Sequence, residues 1–332
     1  MPGTLLRRMR GLRQMLRAGE LTASTPRTRR FVTSSDGRCS LHAERAVAAY
    51  LGLAIGDALG ATVEFLTPNE IRHQFGVHRD ITGGGWLRLK PGQVTDDTTM
   101  SLALGEVILN HGGIEAMAVA EAFDAWMRAK PVDIGNTVRR NLIAFRQTGN
   151  PEAPPSEHDA GNGAAMRVLP VALACYGQAP EVTRLASRAQ AHVTHHNALS
   201  DAACETLILM VQDFLGASDA MGLCRQRADD LVRQHPAFAF DKKRRDNPSG
   251  YVVETMQAVL QAFLTTNRFE ECLIDVVNRG GDADTTGAIA GMLAGARYGL
   301  QAIPEPWLHA LDEAIGIQCT DQARKLLALN RN

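Results

Sequence analysis

Two short segments of the chain set pairs of aspartates among threonines, immediately before apolar stretches. Residues 93–104 read QVTDDTTMSLAL and residues 280–291 read GGDADTTGAIAG. Together they offer four carboxylates, from Asp96, Asp97, Asp282 and Asp284, and the hydroxyl oxygens of the adjacent threonines. Carboxylate and hydroxyl oxygens without a neighbouring histidine or cysteine suit hard cations such as Mg²⁺ and Mn²⁺.

Two interpretations of these segments stay open. Asp and Thr are favoured at helix N-termini, where they cap free N–H groups and meet the positive end of the helix dipole. A cap needs only one acceptor, however, and each segment supplies two carboxylates whose charges repel. If the two segments converge in the fold, their four carboxylates would instead hold two divalent cations, roughly 3.5–4 Å apart.

The helix that follows the second segment is predicted to be buried and closely packed. Gly287, Gly291 and Gly295 recur every fourth residue among alanines. Each glycine inside a helix costs about 0.5–1 kcal/mol relative to alanine, so a close helix–helix contact explains the spacing better than chance. We therefore expect the N-terminus of this helix at the bottom of a cleft.

A third carboxylate group lies in GDALGATVEF, where Glu64 sits between Val63 and Phe65. Apolar surroundings raise the pKa of a carboxyl group, which suits acid–base catalysis, but a solvated glutamate would fit the same pattern. Asp57, earlier in this stretch, is predicted to be structural and to cap a neighbouring loop.

Two further segments combine Asp, Asn and Gly ahead of predicted helices. PVDIGNT contains Asp133 and Asn136, and HDAGNGAAMR contains Asp159 and Asn162 in the loop 161–163. Either segment suits an Asx-turn followed by a helix cap. In the second, free backbone N–H groups ahead of a helix could bind a phosphate, although the Gly-Lys-Ser/Thr of a P-loop is missing.

Three other features give weaker signals. The GGGW stretch at 83–86 predicts a flexible or extended loop whose tryptophan could cover a ligand. His195 and His196, in THHNALSD, are expected to be hydrogen-bonded structural groups and not metal ligands. Tyr251, after NPSG, could stack on a base or belong to the core.

Helical spacing of apolar residues dominates the chain from about residue 42 onward. Short loops rich in Gly, Asp and Asn separate these stretches, and one of them, AAMRVLPVALACYG, is expected to kink at Pro170. Because strand signals are nearly absent, the sequence predicts an all-α domain over residues 41–332.

Composition excludes several classes of protein. The 332 residues carry a formal net charge of −1, which is not typical of a nucleic-acid-binding protein. No apolar run approaches the 18 or more residues of a transmembrane span. Six cysteines are scattered singly, which indicates reduced thiols in a cytoplasmic protein.

Residues 1–40 differ in composition from the rest. They carry nine arginines against Glu20 and Asp36, so this segment has a charge of +7 and the remainder about −8. An Arg-, Ser- and Thr-rich segment suits a transit peptide, a membrane-surface helix or a disordered tail. We predict a disordered N-terminal extension.

The segments together resemble the ADP-ribosylglycohydrolase family. The matching stretches are GLAIGDALGATVEF, TGGGWLRLKPGQVTDDTTMSLALG, AKPVDIGNT, DAGNGAAMR, LSDAAC and NRGGDADTTGAIAGMLAGARYG, in order over about residues 42–330. The resemblance implies a compact, multi-helix all-α domain with a binuclear metal cleft. It does not extend to the Arg-rich first 40 residues.

The resemblance also implies roles for individual residues. The ligands of two divalent cations, Mn²⁺ or Mg²⁺, would be Thr95, Asp96, Asp97, Asp282, Asp284 and Thr285. The substrate-binding residues would be Asp133, Asn136, Asp159, Gly161, Asn162, Gly163, His195 and Tyr251. Asp97 and Glu64 are the candidates for the base that activates water.

Members of the family hydrolyse the bond between ADP-ribose and a modified protein. The bacterial branch that this chain most resembles acts on an arginine of the nitrogenase iron protein, dinitrogenase reductase, and restores its activity. That branch is associated with PII-type signalling proteins that hold the enzyme at the membrane periphery. Hydrolysis of another linkage such as O-linked serine ADP-ribose, a non-catalytic ADP-ribose-binding role and a two-metal phosphoesterase stay open as alternatives.

Overall fold

The computed structural model describes residues 37–217 and 219–329. In these ranges the chain forms α-helices and two short 3₁₀ turns, and its extended pairing amounts to two isolated bridges. This confirms the predicted all-α class. The helices are α1 Gly37–Gly60, α2 Pro68–Phe75, α3 Asp96–His111, α4 Ala116–Arg128, α5 Asn136–Thr148, α6 Leu169–Ala174, α7 Pro180–Ala191, α8 Ala198–Gly216, α9 Ala220–Gln234, α10 Val252–Thr265, α11 Phe269–Val277, α12 Ala283–Tyr298, α13 Glu305–Ala310 and α14 Glu313–Ala328.

Most of the predicted N-terminal extension, residues 1–36, lies outside the described residues, and α1 begins at Gly37. Among the helices of the described ranges, none combines the length and the hydropathy needed to cross a bilayer.

Helix α12 forms the centre of the fold. Every residue from Ala283 to Ala296 is buried, and α8, α10 and α11 pack around this helix while α3 contacts it. The prediction of a buried helix after the second aspartate segment is therefore confirmed.

The glycines of α12 lie directly against the backbone of α1. A side chain added at Gly287 would come closer than 3.0 Å to the carbonyl oxygen of Gly56, and one at Gly291 would come equally close to that of Gly52. Residue numbers rise along α1 as they fall along α12, so the two helices run antiparallel. The C-terminal end of α1, which carries Asp57, is thereby brought beside the N-terminus of α12.

Some predicted elements differ from those observed. AAMRVLPVALACYG is not one kinked helix, because α6 begins only at Leu169 and Pro170 lies in its first turn, where a missing N–H costs no hydrogen bond. The stretch PEPWLHALDEAIG, whose spacing predicts a single helix, is divided into α13 and α14, because Asp312 accepts hydrogen bonds from the N–H groups of Ala314 and Ile315 and starts a new helix. Helices α2 and α7 were not predicted.

Candidate metal centre and substrate cleft

The N-terminus of α3 is capped from another helix. Asp57 of α1 accepts hydrogen bonds from the backbone N–H groups of Thr95 at 3.0 Å and Thr98 at 3.1 Å, and from both hydroxyls. The side chains of Asp96 and Asp97 make no cap on their own helix. The interpretation of these two aspartates as caps is therefore wrong. Asp57 has the structural capping role predicted for it, but it caps the helix α3 and not a loop.

The N-termini of α3 and α12 face each other in the interior. Thr95 Oγ1 lies 3.0 Å from Asp57 Oδ1, 3.2 Å from Asp97 Oδ2 and 3.4 Å from Asp284 Oδ2. One hydroxyl proton cannot satisfy three carboxylates. The two aspartate segments thus converge, as predicted, on a space that has too many acceptors and too few donors.

Asp97 shows the shortage most clearly. Its Oδ2 lies 3.4 Å from the hydroxyl of Thr285, but its Oδ1 is buried and has no hydrogen-bond partner among the described residues. A buried oxygen without a donor is costly, and a cation would remove that cost.

The pKa values of these carboxyl groups are raised, as expected where buried carboxylates have too few donors and no nearby cation. Burial raises the pKa of Asp57 to about 6 and that of Asp96 to about 7, and neighbouring carboxylates add to the rise at Asp96. Burial and the surrounding carboxylates raise the pKa of Asp97 and Asp284 well above the ordinary aspartate range. The cluster therefore favours either protons or a bound cation.

A second group of carboxylates lies on the solvent side of this cluster. Oxygens of Glu64, Asp133 and Asp284 all lie within 4.8 Å of one another. Burial raises the pKa of Glu64 to about 8, and its Oε2 accepts a hydrogen bond of 2.6 Å from Trp86 Nε1. These oxygen-only ligands fit a hard divalent cation, so the residues present are compatible with the metal that the resemblance implies.

An open cleft of about 480 Å³ lies above the carboxylates. Its wall includes Glu64, four of the predicted metal ligands and six of the eight predicted substrate-binding residues: Asp96, Asp282, Asp284, Thr285, Asp133, Asn136, Gly161, Asn162, Gly163 and His195. Thr95 and Asp97 are buried and do not line the cleft. They lie deeper than the other ligand candidates.

Two predicted substrate-binding residues are not part of the cleft wall. Asp159 is buried and accepts hydrogen bonds from Arg140 and Asn141 of α5, so it holds that helix in place. Tyr251 is 39% exposed and pairs through its backbone with Gly161, next to the wall but outside it.

The loop 161–163 is fixed against the imidazole of His195. A side chain added at Gly161 would lie 2.9 Å from His195 Nε2, and one at Gly163 would lie 2.8 Å from Cε1. Only glycine lets the loop approach the ring this closely. Asn162, between them, donates to Asp282 Oδ2 at 2.7 Å and joins the loop to the N-terminus of α12.

Phe65 and Trp86 form an aromatic pair at the cleft mouth, which sequence reasoning found only in part. Their ring centroids lie 5.5 Å apart, and the residues are 61% and 53% exposed. Trp86 follows three glycines with positive φ, which agrees with the predicted loop over a ligand site. Phe65 itself has a φ of 63°, which is unusual for an aromatic residue and which no sequence signal indicated.

Within the described ranges, one other group of potential ligands lies away from the cleft. Glu152, His192 and His196 have ligand atoms within 4.8 Å of one another, but the two imidazoles are stacked, with centroids 3.7 Å apart and planes inclined by 15°. A metal ion lies close to the plane of each imidazole that binds it, so two nearly parallel rings cannot share one ion. Stacking is the role that the geometry gives His196.

Comparison with known proteins agrees with this geometry. The sequence model of the ADP-ribosylglycohydrolase family matches residues 39–332. The chain is 52% identical over 290 residues to the ADP-ribosyl-[dinitrogen reductase] glycohydrolase of Rhodospirillum rubrum, covering 87% of this chain and 97% of that protein. It is 34% identical over 281 residues to the ADP-ribosylarginine hydrolase Tri1 of Serratia proteamaculans, covering 81% and 75% respectively.

A solved structure described as an ADP-ribosylglycohydrolase-related protein complex matches with a TM-score of 0.76 and 36% identity, over 87% of this chain and 99% of the other. Fold, sequence and converging aspartate segments agree, and the chain belongs to the ADP-ribosylglycohydrolase family.

Proposed function

We propose that this chain is a metal-dependent hydrolase that removes ADP-ribose from a modified arginine of a protein, and that the nitrogenase iron protein is its substrate. Relatives named for the dinitrogen reductase and ADP-ribosylarginine activities cover most of the chain. The same proposal includes a cytoplasmic location and regulation by a PII-type signalling protein.

The observation that carries the proposal is the buried carboxylate cluster at the base of the cleft. The N-termini of α3 and α12 bring together Asp97, Asp284 and Thr95, and Asp97 Oδ1 is left without a donor. We assign two divalent cations, Mn²⁺ or Mg²⁺, to the six oxygen-bearing residues of the two segments. Cations held there would bind ribose hydroxyls and lower the pKa of a bound water.

The bond to be broken sets what the protein must do. An ADP-ribosylated arginine carries its positive charge on the guanidinium group, so cleavage of the ribose C1–N bond expels a neutral guanidine. A strong general acid is therefore less necessary than for an ordinary O-glycoside. The cleft must instead place a water molecule beside C1 and stabilise positive charge developing on the ribose.

Glu64 is the residue we assign to activate this water. It faces the cleft, and Trp86 holds its Oε2, which leaves Oε1 free to accept a proton from water. Asp97 was the other candidate for the base, but it lies behind the cleft wall and suits the role of ligand. The carboxylates of Asp133 and Asp96 lie near Glu64. Their negative charge would stabilise the positive charge that develops on the ribose.

The substrate can be tested directly with the full chain. We expect Mn²⁺- or Mg²⁺-dependent release of ADP-ribose from arginine-modified nitrogenase iron protein, and none after chelation of the metal. Peptides carrying O-linked serine ADP-ribose should be cleaved far more slowly. Faster release from the serine peptides would overturn the arginine assignment.

A variant pair tests the role of Glu64. Glu64→Gln should lower kcat by roughly 10²–10⁴-fold, the usual contribution of a general base. Glu106→Gln, an exposed glutamate on the surface of α3, is the matched control and should leave kcat unchanged. Tight ADP-ribose binding in calorimetry without any turnover by the unaltered chain would show a binding protein and not an enzyme.

A further inference from the structure

Arg167 is a buried cation that the proposed reaction does not use. Its side chain is fully buried, its guanidinium lies 4.4 Å from the ring centroid of Phe123, and no carboxylate pairs with it among the described residues. Its hydrogen bonds go to neutral acceptors, namely the side chain and carbonyl of Gln190, the hydroxyl of Thr194 and the thioether of Met100. Burying a cation in this way is costly, so its position needs an explanation.

The contact with Thr194 determines where hydrogens lie. Arg167 Nη2 is 2.7 Å from Thr194 Oγ1, and a guanidinium can only donate, so the threonine oxygen accepts this bond. The same oxygen lies 2.8 Å from His195 Nδ1. Thr194 is fully buried, and His195 Nδ1 is the sole acceptor within reach of its hydroxyl proton among the described residues.

The hydroxyl of Thr194 therefore donates to His195 Nδ1. The opposite arrangement, with a proton on Nδ1, would leave the buried hydroxyl proton without an acceptor. Burial, with Arg167 and Arg140 contributing, lowers the pKa of His195 to about 3, so the ring is neutral and carries a single proton.

The other ring nitrogen faces the ligand space. His195 lines the cleft, and its Nε2 lies beside Gly161, where the missing side chain keeps the approach open. Nε2 makes no hydrogen bond to the described part of the protein. Its N–H is thus available to a ligand oxygen.

We propose that Arg167 and Thr194 are positioning residues that hold His195 as the tautomer with its proton on Nε2, so that this nitrogen donates a hydrogen bond to an oxygen of the bound ligand. The identity of the ligand, ADP-ribose, rests on the proposed function, but the tautomer does not. His195 then cannot act as a base towards the substrate, because the nitrogen that faces the cleft has no free lone pair.

Nitrogen NMR tests the tautomer without any activity assay. The full chain with ¹⁵N-labelled histidine and Mg²⁺, which is diamagnetic, should show His195 with a protonated Nε2 and an unprotonated Nδ1. Disappearance of that signal in His195→Gln assigns it among the ten histidines. A protonated Nδ1 in the unaltered chain would overturn the proposal.

A series at Thr194 tests how the tautomer is held. Thr194→Val removes the hydroxyl and keeps the shape, so His195 should lose its single tautomer and ADP-ribose should bind about tenfold more weakly, the loss of roughly one hydrogen bond. Thr194→Ser should restore both properties. Thr183→Val, at another buried threonine of the neighbouring helix α7, is the matched control and should change neither.

The outcomes separate the two proposals. If Thr194→Val leaves the His195 tautomer unchanged, the positioning role is overturned whatever the enzyme does. If the unaltered chain shows the expected tautomer but binds no ADP-ribose in calorimetry with Mg²⁺, the proposed function fails and the positioning of His195 stands.

Discussion

The N-termini of α3 and α12 begin with similar residues but use them differently. At α3, Asp57 comes from α1 to bind the free N–H groups, so Asp96 and Asp97 are available for another ligand. At α12, Asp282 occupies the cap position without making a side-chain cap, and Asn162 binds its carboxylate at 2.7 Å. Asp282 is partly exposed on the cleft wall, whereas Asp97 is buried behind it.

The aspartates differ in depth within each segment. At α3, Asp96 lines the cleft whereas Asp97 lies behind its wall. With one residue between them, Asp282 and Asp284 are divided between the edge of the cleft and its floor. The same residue types thus supply deep and shallow oxygens to one site.

The largest effect is expected from removing one carboxylate at the N-terminus of each helix. Asp97→Asn and Asp284→Asn should each lower kcat/KM by roughly 10³-fold or more. Even the loss of a residue that only hydrogen-bonds to a metal ligand typically lowers metal affinity or activity by roughly 10–100-fold. Measured without metal, the same variants should melt at a higher temperature than the unaltered chain, because repulsion between buried carboxylates is relieved. Near-normal rates in both would exclude a shared metal site.

Separating the two helix ends should have the next largest effect. Gly287→Ala places a methyl group against the carbonyl oxygen of Gly56, one residue from Asp57, and such overpacking costs about 1–3 kcal/mol. We expect a lower midpoint of urea unfolding and weaker metal binding. Gly316→Ala on α14, where the nearest atom to an added side chain is 3.9 Å away, is the control and should change neither.

The cap that distinguishes α3 can be removed alone. Asp57→Asn replaces one carboxylate oxygen with an amide donor, which then faces the N–H group and hydroxyl of Thr95 or those of Thr98, and leaving a buried donor unpaired should cost about 1–3 kcal/mol of unfolding free energy. Activity should fall because Thr95 and Asp97 depend on this end of the helix. Circular dichroism during urea unfolding measures the loss, and unchanged stability would contradict the capping role.

The smallest effect we expect is a pH dependence that metal abolishes. Above about pH 4 the unfolded chain has lost the protons of Asp96 and Glu64, whereas the folded, metal-free chain still holds them. The stability of the folded chain therefore falls as pH rises, until Asp96 ionises at its raised pKa of about 7 and Glu64 at its raised pKa of about 8. His195 has the opposite shift, to about 3, and its stabilisation is lost only as pH falls below about 6.5.

Between pH 6.5 and 8 the carboxyl groups should therefore dominate. The free energy of unfolding should decline by roughly 1.4 kcal/mol per pH unit for each proton that is released on unfolding. Denaturant titrations of the chelated protein at several pH values measure this slope. Saturating Mg²⁺ should flatten it, because ligands bind metal in the deprotonated form. A flat profile without metal would contradict the proposed repulsion.

Much of the fold followed from local patterns. Apolar residues at helical spacing predicted most helices, and the glycines of α12 predicted a buried, closely packed helix, which the contacts with α1 confirm. The predictions were wrong where neighbours decided the outcome. Pro170 starts a helix and does not bend one, and Asp312 divides the last helical stretch in two.

The chemistry of the site was also determined by sequence, because residue types fix which donors exist. The four aspartates and two threonines of the two segments supply oxygen atoms, which limits the proposed site to cations that prefer oxygen ligands. The sequence could not show that Asp57 takes over the capping of α3, that Asp159 lies behind the cleft wall, or that Arg167 orients His195 through Thr194. Those facts depend on which atoms the packing of distant helices brings within hydrogen-bond distance, and only the tertiary structure decides that.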